Sequence, residues 1–267
     1  MAGLHPSRLK LIFCIWGVSL PFQGRAVATD GTGMPRRGMG VSNMSEAHSG
    51  SLLIEYFKSF VKDRDLDGFR NLVSARYNEG TLGRILSASN DATARRAAVL
   101  SLGIMGTFEQ SNTVLGKALS DDDSVVRAMA EDALWAIWSR ADTPEHNQAL
   151  NQVQLAISRE QLDQAKVLVT RLIDAAPNFA EAYNQRAIIY FLQGRFAESV
   201  QDCQQVLARN PYHFGAISGM AQSQVRLNRP EDALKSLRKA LKLQPHRSSL
   251  RESIRILEAQ IESDGPR

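Results

Sequence analysis

The stretch from Ala180 to His213, AEAYNQRAIIYFLQGRFAESVQDCQQVLARNPYH, decides how this chain is read. It reads as two helices with a turn at Gly194, closed by Pro211. Gly194 has no Cβ and suits the left-handed conformation that ends a first helix. Pro211 falls just beyond the second helix, where a missing N–H does least harm. Working outward, Pro177 lies 34 residues before Pro211 and Pro245 lies 34 residues after it. A period of this length marks a stack of helical hairpins, whose usual output is a binding surface rather than chemistry.

The segment resembles the tetratricopeptide repeat, whose pattern places a large aromatic, then Leu-Gly, Tyr, Ala, Phe and Pro. Here those places hold Tyr183, Arg186-Ala187, Tyr190, Ser199, Cys203 and Pro211. A following copy has Ile217, Met220-Ala221, Gln224, Ala233, Leu237 and Pro245. A weaker preceding copy has Ala149, Gln152-Val153, Ala156, Ala165, Val169 and Pro177. The resemblance spans residues 146–247. Small residues let the helices of a hairpin approach closely, a part assigned to Ala187 with Ser199 and to Ala221 with Ala233. Pro230 suits a first helical position, and Glu231 and Asp232 then meet the positive end of the helix dipole. Residues 248–263 form one more helix, with an apolar stripe of Leu250, Ile254, Leu257 and Ile261. It is expected to cover the open face of the last repeat; the alternative is a partner-binding amphipathic helix.

Upstream, a second repeat is visible. Leu82-Gly83-Arg84-Ile85-Leu86-Ser87 recurs as Leu115-Gly116-Lys117-Ala118-Leu119-Ser120, each copy followed by an acidic turn and an Arg-containing helix. This resembles a HEAT repeat of the short, bacterial, phycobilin-lyase-like type. The resemblance implies a polar ladder between hairpins, drawn from Asp91 with Arg96 and Asp122 with Arg127. A simpler role for each Asp is to cap a helix. Two apolar faces precede it, one with Leu52, Leu53, Tyr56, Phe57, Phe60 and Val61, the other with Leu66, Phe69, Leu72 and Val73. They are expected to form an atypical capping hairpin. The fold class is all-α, an α-solenoid: HEAT-like hairpins over 51–140, about three tetratricopeptide hairpins over 146–247, and a capping helix over 248–263. Trp135 and Trp138 are expected to pack where the two repeat types join.

Residues 1–28 have the layout of a secretory signal: Arg8 and Lys10, an apolar stretch from Leu11 to Phe22, and a cleavage site at Ala26-Val27-Ala28. The expectation is an extracytoplasmic protein, periplasmic or secreted. The alternative is a cytoplasmic protein whose translation starts at Met34, Met39 or Met44. Residues 29–50 read as a flexible lead-in.

The composition supports no particular chemistry. The chain is 43% hydrophobic, enough to bury a core, and its net charge of +4 is too weak to argue for nucleic acid. Its five histidines stand far apart, and no Cys-x-x-Cys or phosphate loop is present. Cys203 reads as a buried small hydrophobe. No catalytic residue, metal site or cofactor is expected. The expected function is a non-enzymatic scaffold that binds a peptide or helix of a partner protein.

The resemblance places the binding groove on the first helix of each hairpin, lined by Asn147, Leu150, Gln154, Asn184, Ile188, Phe191, Ser218, Gln222 and Val225. Asn and Gln there could bond a peptide backbone, and Ile188 and Phe191 could hold an apolar side chain. Repeats that clamp a C-terminal carboxylate use Lys, Asn and Arg. The matching places here hold Leu150, Gln154, Gln185, Gly215 and Gly219, which argues against that function. An alternative surface for a nucleic acid or other polyanion is the basic C-terminal face around Arg238, Lys239 and Lys242.

Overall fold

The computed structural model describes residues 44–263, which form thirteen helices with no strand among them. The expected leader at 1–28 lies outside the described residues. The first helix begins at Met44, inside the segment expected as lead-in.

The N-terminal half contains α1 (Met44–Asp63), α2 (Leu66–Ser74), α3 (Glu79–Ala88), α4 (Ala92–Met105), α5 (Phe108–Ala118) and α6 (Ser124–Trp138). Helices α3 and α5 pack as one layer and α4 and α6 as another, so α3/α4 and α5/α6 are stacked hairpins. Helices α1 and α2 lie against α4 and close the end. Leu53, Phe69 and Val73 turn inward as expected, while Leu66 and Leu72 are exposed. The helix starts are set by short polar side chains: Asp65, Asn78, Asp91, Thr107 and Asp123 each accept a backbone N–H of the first turn.

The expected ladder exists with different members. Arg95 Nε and Nη2 donate to both oxygens of Asp121 at 2.8 Å. Arg96 donates to both oxygens of Asp123, at 3.0 and 2.5 Å. Each bond joins α4 to the turn before α6. The Asp122 side chain makes no ion pair among the described residues; its carbonyl accepts from Arg127. Asp91 caps α4 and leaves Arg96 to the next hairpin.

The C-terminal half contains α7 (Pro144–Ser158), α8 (Leu162–Ala175), α9 (Ala180–Leu192), α10 (Phe196–Arg209), α11 (Phe214–Arg226), α12 (Pro230–Leu243) and α13 (Ser248–Ser263). Consecutive helices pack pairwise, and α7, α9 and α11 line up as neighbouring first helices. The turns within the hairpins repeat at the same 34-residue step as the prolines. Glu160, Gly194 and Asn228 all have positive φ, at 59°, 75° and 55°. In each case the following N–H reaches back five residues: Gln161 to Ala156, Arg195 to Tyr190 and Arg229 to Gln224. This is the left-handed helix stop, kept where the residue is not glycine.

Departures from the repeat pattern are matched by partners. Arg186 stands where the pattern has leucine, and its guanidinium grips both oxygens of buried Asp202 at 2.7 and 2.8 Å. Ser199 stands where it has alanine, and its hydroxyl accepts from Ser223 at 3.0 Å. Cys203 is fully buried, and burial pushes its thiol far above the ordinary range, which leaves it inert.

The two halves have separate cores. Helix α6 does not stack on α7 or α8 as consecutive hairpins do within each half. Instead, the C-terminal half leans its inter-hairpin loops on α5 and α6. Tyr212 and Phe214 belong to the core of the N-terminal half, and Gly116 leaves room for the Tyr212 ring. Gln244 and Arg247, in the next such loop, bond Glu131 at 2.8 and 3.0 Å.

Candidate functional site

The nine groove positions separate into three groups. Leu150, Asn184 and Ile188 are buried, at 0%, 0% and 1% exposure. They do not line an open groove as expected: Leu150 and Ile188 are core of the C-terminal half, and Asn184 donates to buried Glu181 at 2.9 Å. Asn147 and Phe191 are half-buried and engaged locally. Asn147 bonds both the carbonyl and the N–H of Asp142, fixing the turn before α7, and Phe191 meets the Phe196 ring edge-on at 5.4 Å. Gln154, Ser218 and Gln222 remain half-exposed, and Val225 is 48% exposed. Ser218, Gln222 and Val225 follow one another at four and three residues, so they share one face of α11.

The basic face is less free than its composition suggests. Arg238 pairs with Glu258 at 2.7 Å, Lys235 with Asp232, Arg247 with Glu131 and Arg255 with Glu252. Lys239 and Lys242 are exposed and have no ion pair among the described residues.

Sequence reasoning missed a polar network where the halves meet. Trp138 is 2% exposed and stacks on the His213 imidazole, ring centres 4.3 Å apart. Trp135 meets His213 and Phe214 edge-on, so both tryptophans pack at the junction as expected. His213 Nδ1 accepts the N–H of Ala216 at 3.0 Å and thereby caps α11. The ring proton therefore sits on Nε2, which donates to Glu181 Oε2 at 3.0 Å. The other Glu181 oxygen accepts from Asn184 and Gln185. Asn112 takes the Trp138 indole N–H at 2.7 Å and donates to Asn210 at 3.0 Å, across 98 residues of chain. No local pattern announces this: Glu181, Asn210 and His213 come from the C-terminal half, and Asn112 meets Asn210 only when the two halves fold together.

Beside this network lies a cleft of about 390 Å³. One wall carries Phe108, Glu109 and Trp138 from the N-terminal half. The connection between the halves adds Asp142, and the C-terminal half adds Phe179, Glu181, Arg209 and Asn210. Among the described residues, no group of three or more His, Cys, Asp or Glu is placed to hold a metal ion, and no helix is long and apolar enough to cross a membrane.

Hairpin α9/α10 with its closing loop, residues 180–213, matches the family description of the tetratricopeptide repeat, and so do residues 217–247. These are tetratricopeptide repeats. A TPR repeat-containing protein of Rhizobium etli is 28% identical over 120 residues, a stretch covering 45% of this chain and 59% of that relative. The chain is thus similar to only part of that relative's length. Repeats of this kind mediate protein–protein contacts.

Proposed function

We propose that this protein is a non-enzymatic scaffold that binds a peptide or helix of a partner protein in the groove of its tetratricopeptide repeats. The observation that carries this reading is the α11 stripe. Half-buried Ser218 and Gln222 and exposed Val225 form one face of α11, with two polar groups beside an apolar one. Gln154 on α7 adds a second amide, and Phe191 on α9 a half-buried ring. Such a surface offers hydrogen bonds to a backbone and an apolar seat for a side chain.

Residues 51–140 are read as HEAT-like, supported by the Arg95–Asp121 and Arg96–Asp123 ladder. The N-terminal half then serves as a rigid buttress that fixes the repeats from the side. A polyanion-binding role has narrower support: of Arg238, Lys239 and Lys242, the two lysines have no ion pair among the described residues. The leader-like residues 1–28 support an extracytoplasmic location, and the mass of the mature N-terminus decides it.

The groove is tested by capture. Wild-type protein should retain a discrete partner from native lysate, and Gln222→Arg with Val225→Arg should abolish retention with an unchanged helical circular-dichroism signal. Undiminished retention by the double variant would move the site off α11.

A further inference from the structure

We propose that the cleft between the two halves binds a lysine or arginine side chain of a partner peptide, with a peptide carbonyl seated on Asn210. Three independent features of the cleft converge on this ligand.

The first is an orphan donor. The Trp138 indole N–H can only donate, so the Asn112 carbonyl faces it. Asn112 Nδ2 must then be the group that donates to Asn210 Oδ1, which also accepts the Tyr212 N–H. This sets the orientation of Asn210. Its Nδ2, in a side chain with no solvent exposure, is left without a partner among the described residues. Buried donors are almost always paired, and an acceptor brought in by a ligand would pair this one.

The second is charge. Glu109 and Asp142 line the cleft as carboxylates, with Arg209 as the opposing cation; Glu181 also lines it, but both its oxygens are engaged by Asn184, Gln185 and His213. The Arg209 guanidinium is already committed to the carbonyls of Pro177 and Gln205 and to the Tyr183 hydroxyl. Burial works against the charge of Asp142, but hydrogen bonds from His146 and the Thr143 N–H outweigh it and hold the carboxyl below its ordinary value. Glu109, in the first turn of α5, is exposed and has no ion pair among the described residues.

The third is the wall. Phe108 gives the cleft a partly exposed aromatic ring, backed by the buried rings of Trp138 and Phe179, and such a ring attracts a cation desolvated against it. Its volume of about 390 Å³ suits one long side chain with its peptide unit and is too small for a folded segment. A free amine would answer the carboxylates but leave Asn210 unpaired. A cationic side chain on a peptide answers both.

The probe is acetyl-Gly-Arg-Gly-amide, compared with its citrulline counterpart, which keeps the shape and loses the charge. Titrated into the ¹⁵N-labelled full chain, the arginine peptide should shift the Asn210 side-chain amide and the Trp138 indole resonances, and the citrulline peptide should not. Glu109→Gln should weaken the arginine peptide about threefold. The groove variant Gln222→Arg with Val225→Arg should bind it like wild type, so failure of the cleft and failure of the groove are read separately. Unmoved Asn210 and Trp138 resonances, equal shifts from the citrulline peptide, or shifts confined to α11 would each overturn the proposal.

Discussion

Replacing Asp123 with asparagine tests the stacking of the N-terminal hairpins. Asp123 acts twice. One oxygen caps α6 by accepting the N–H groups of Val125 and Val126 at 3.0 and 2.9 Å, and the pair of oxygens grips Arg96 of the preceding hairpin. The Arg96 hydrogen bonds, opposed by desolvation and helped by the cap, hold the carboxyl at about 2 against an ordinary 3.8. That drop corresponds to about 2.4 kcal/mol before allowance for solvent. Water at the rim of the pair screens part of it, leaving about 1–2 kcal/mol. Because the folded pKa is depressed, this stability is present above 3.8 and is lost as the pH falls through about 2. Urea unfolding followed by circular dichroism should show Asp123→Asn destabilised by about 1–2 kcal/mol at neutral pH. The gap from wild type should close on acidification between about pH 4 and about pH 2. Asp123→Ala, which also removes the cap, should cost about 1 kcal/mol more. Asp122→Ala, with an exposed side chain, should stay within about 0.5 kcal/mol of wild type. A neutral-pH loss for Asp123→Asn no larger than that of Asp122→Ala, or a gap that ignores pH, would refute the ladder.

Two further substitutions probe the junction and the turns. A Cβ on Gly116 would sit 2.3 Å from Cδ1 and 2.5 Å from Cγ of the Tyr212 ring. Gly116→Ala should therefore cost about 1–3 kcal/mol in the same unfolding assay, with red-shifted tryptophan emission as the halves part. Glu160 holds a left-handed turn at φ 59° without glycine's freedom. Glu160→Gly should stabilise by about 0.5–1 kcal/mol, the relieved strain exceeding glycine's added chain entropy, and Gly194→Ala should destabilise.

Much of the fold is legible because its determinants are local. The prolines at 177, 211 and 245, the small residues at 187, 199, 221 and 233 and the turn at Gly194 each act within one hairpin, so each leaves a mark at the repeat period. The same period extends to Glu160 and Asn228, where residue identity hides it and backbone geometry keeps it. The ladder was half legible. Arginines after acidic turns signal inter-hairpin pairing, but register decides whether Asp122 or Asp123 receives Arg96, and the cap geometry selects Asp123. The groove was least legible. Helical spacing places Leu150, Asn184 and Ile188 on a face, and only packing shows that this face is covered there and open at Gln222 and Val225.

By itself, then, the sequence determined the helices, the hairpins and the repeat period, because these follow from contacts a few residues apart. Tertiary structure alone decided that the stack breaks after α6 and that the repeats brace their loops on the N-terminal half. It also placed Asn112 beside Asn210 and Trp138 on His213. Those groups lie up to 98 residues apart, and no periodic constraint links them. Their meeting is set by the angle at which two separately packed halves come together.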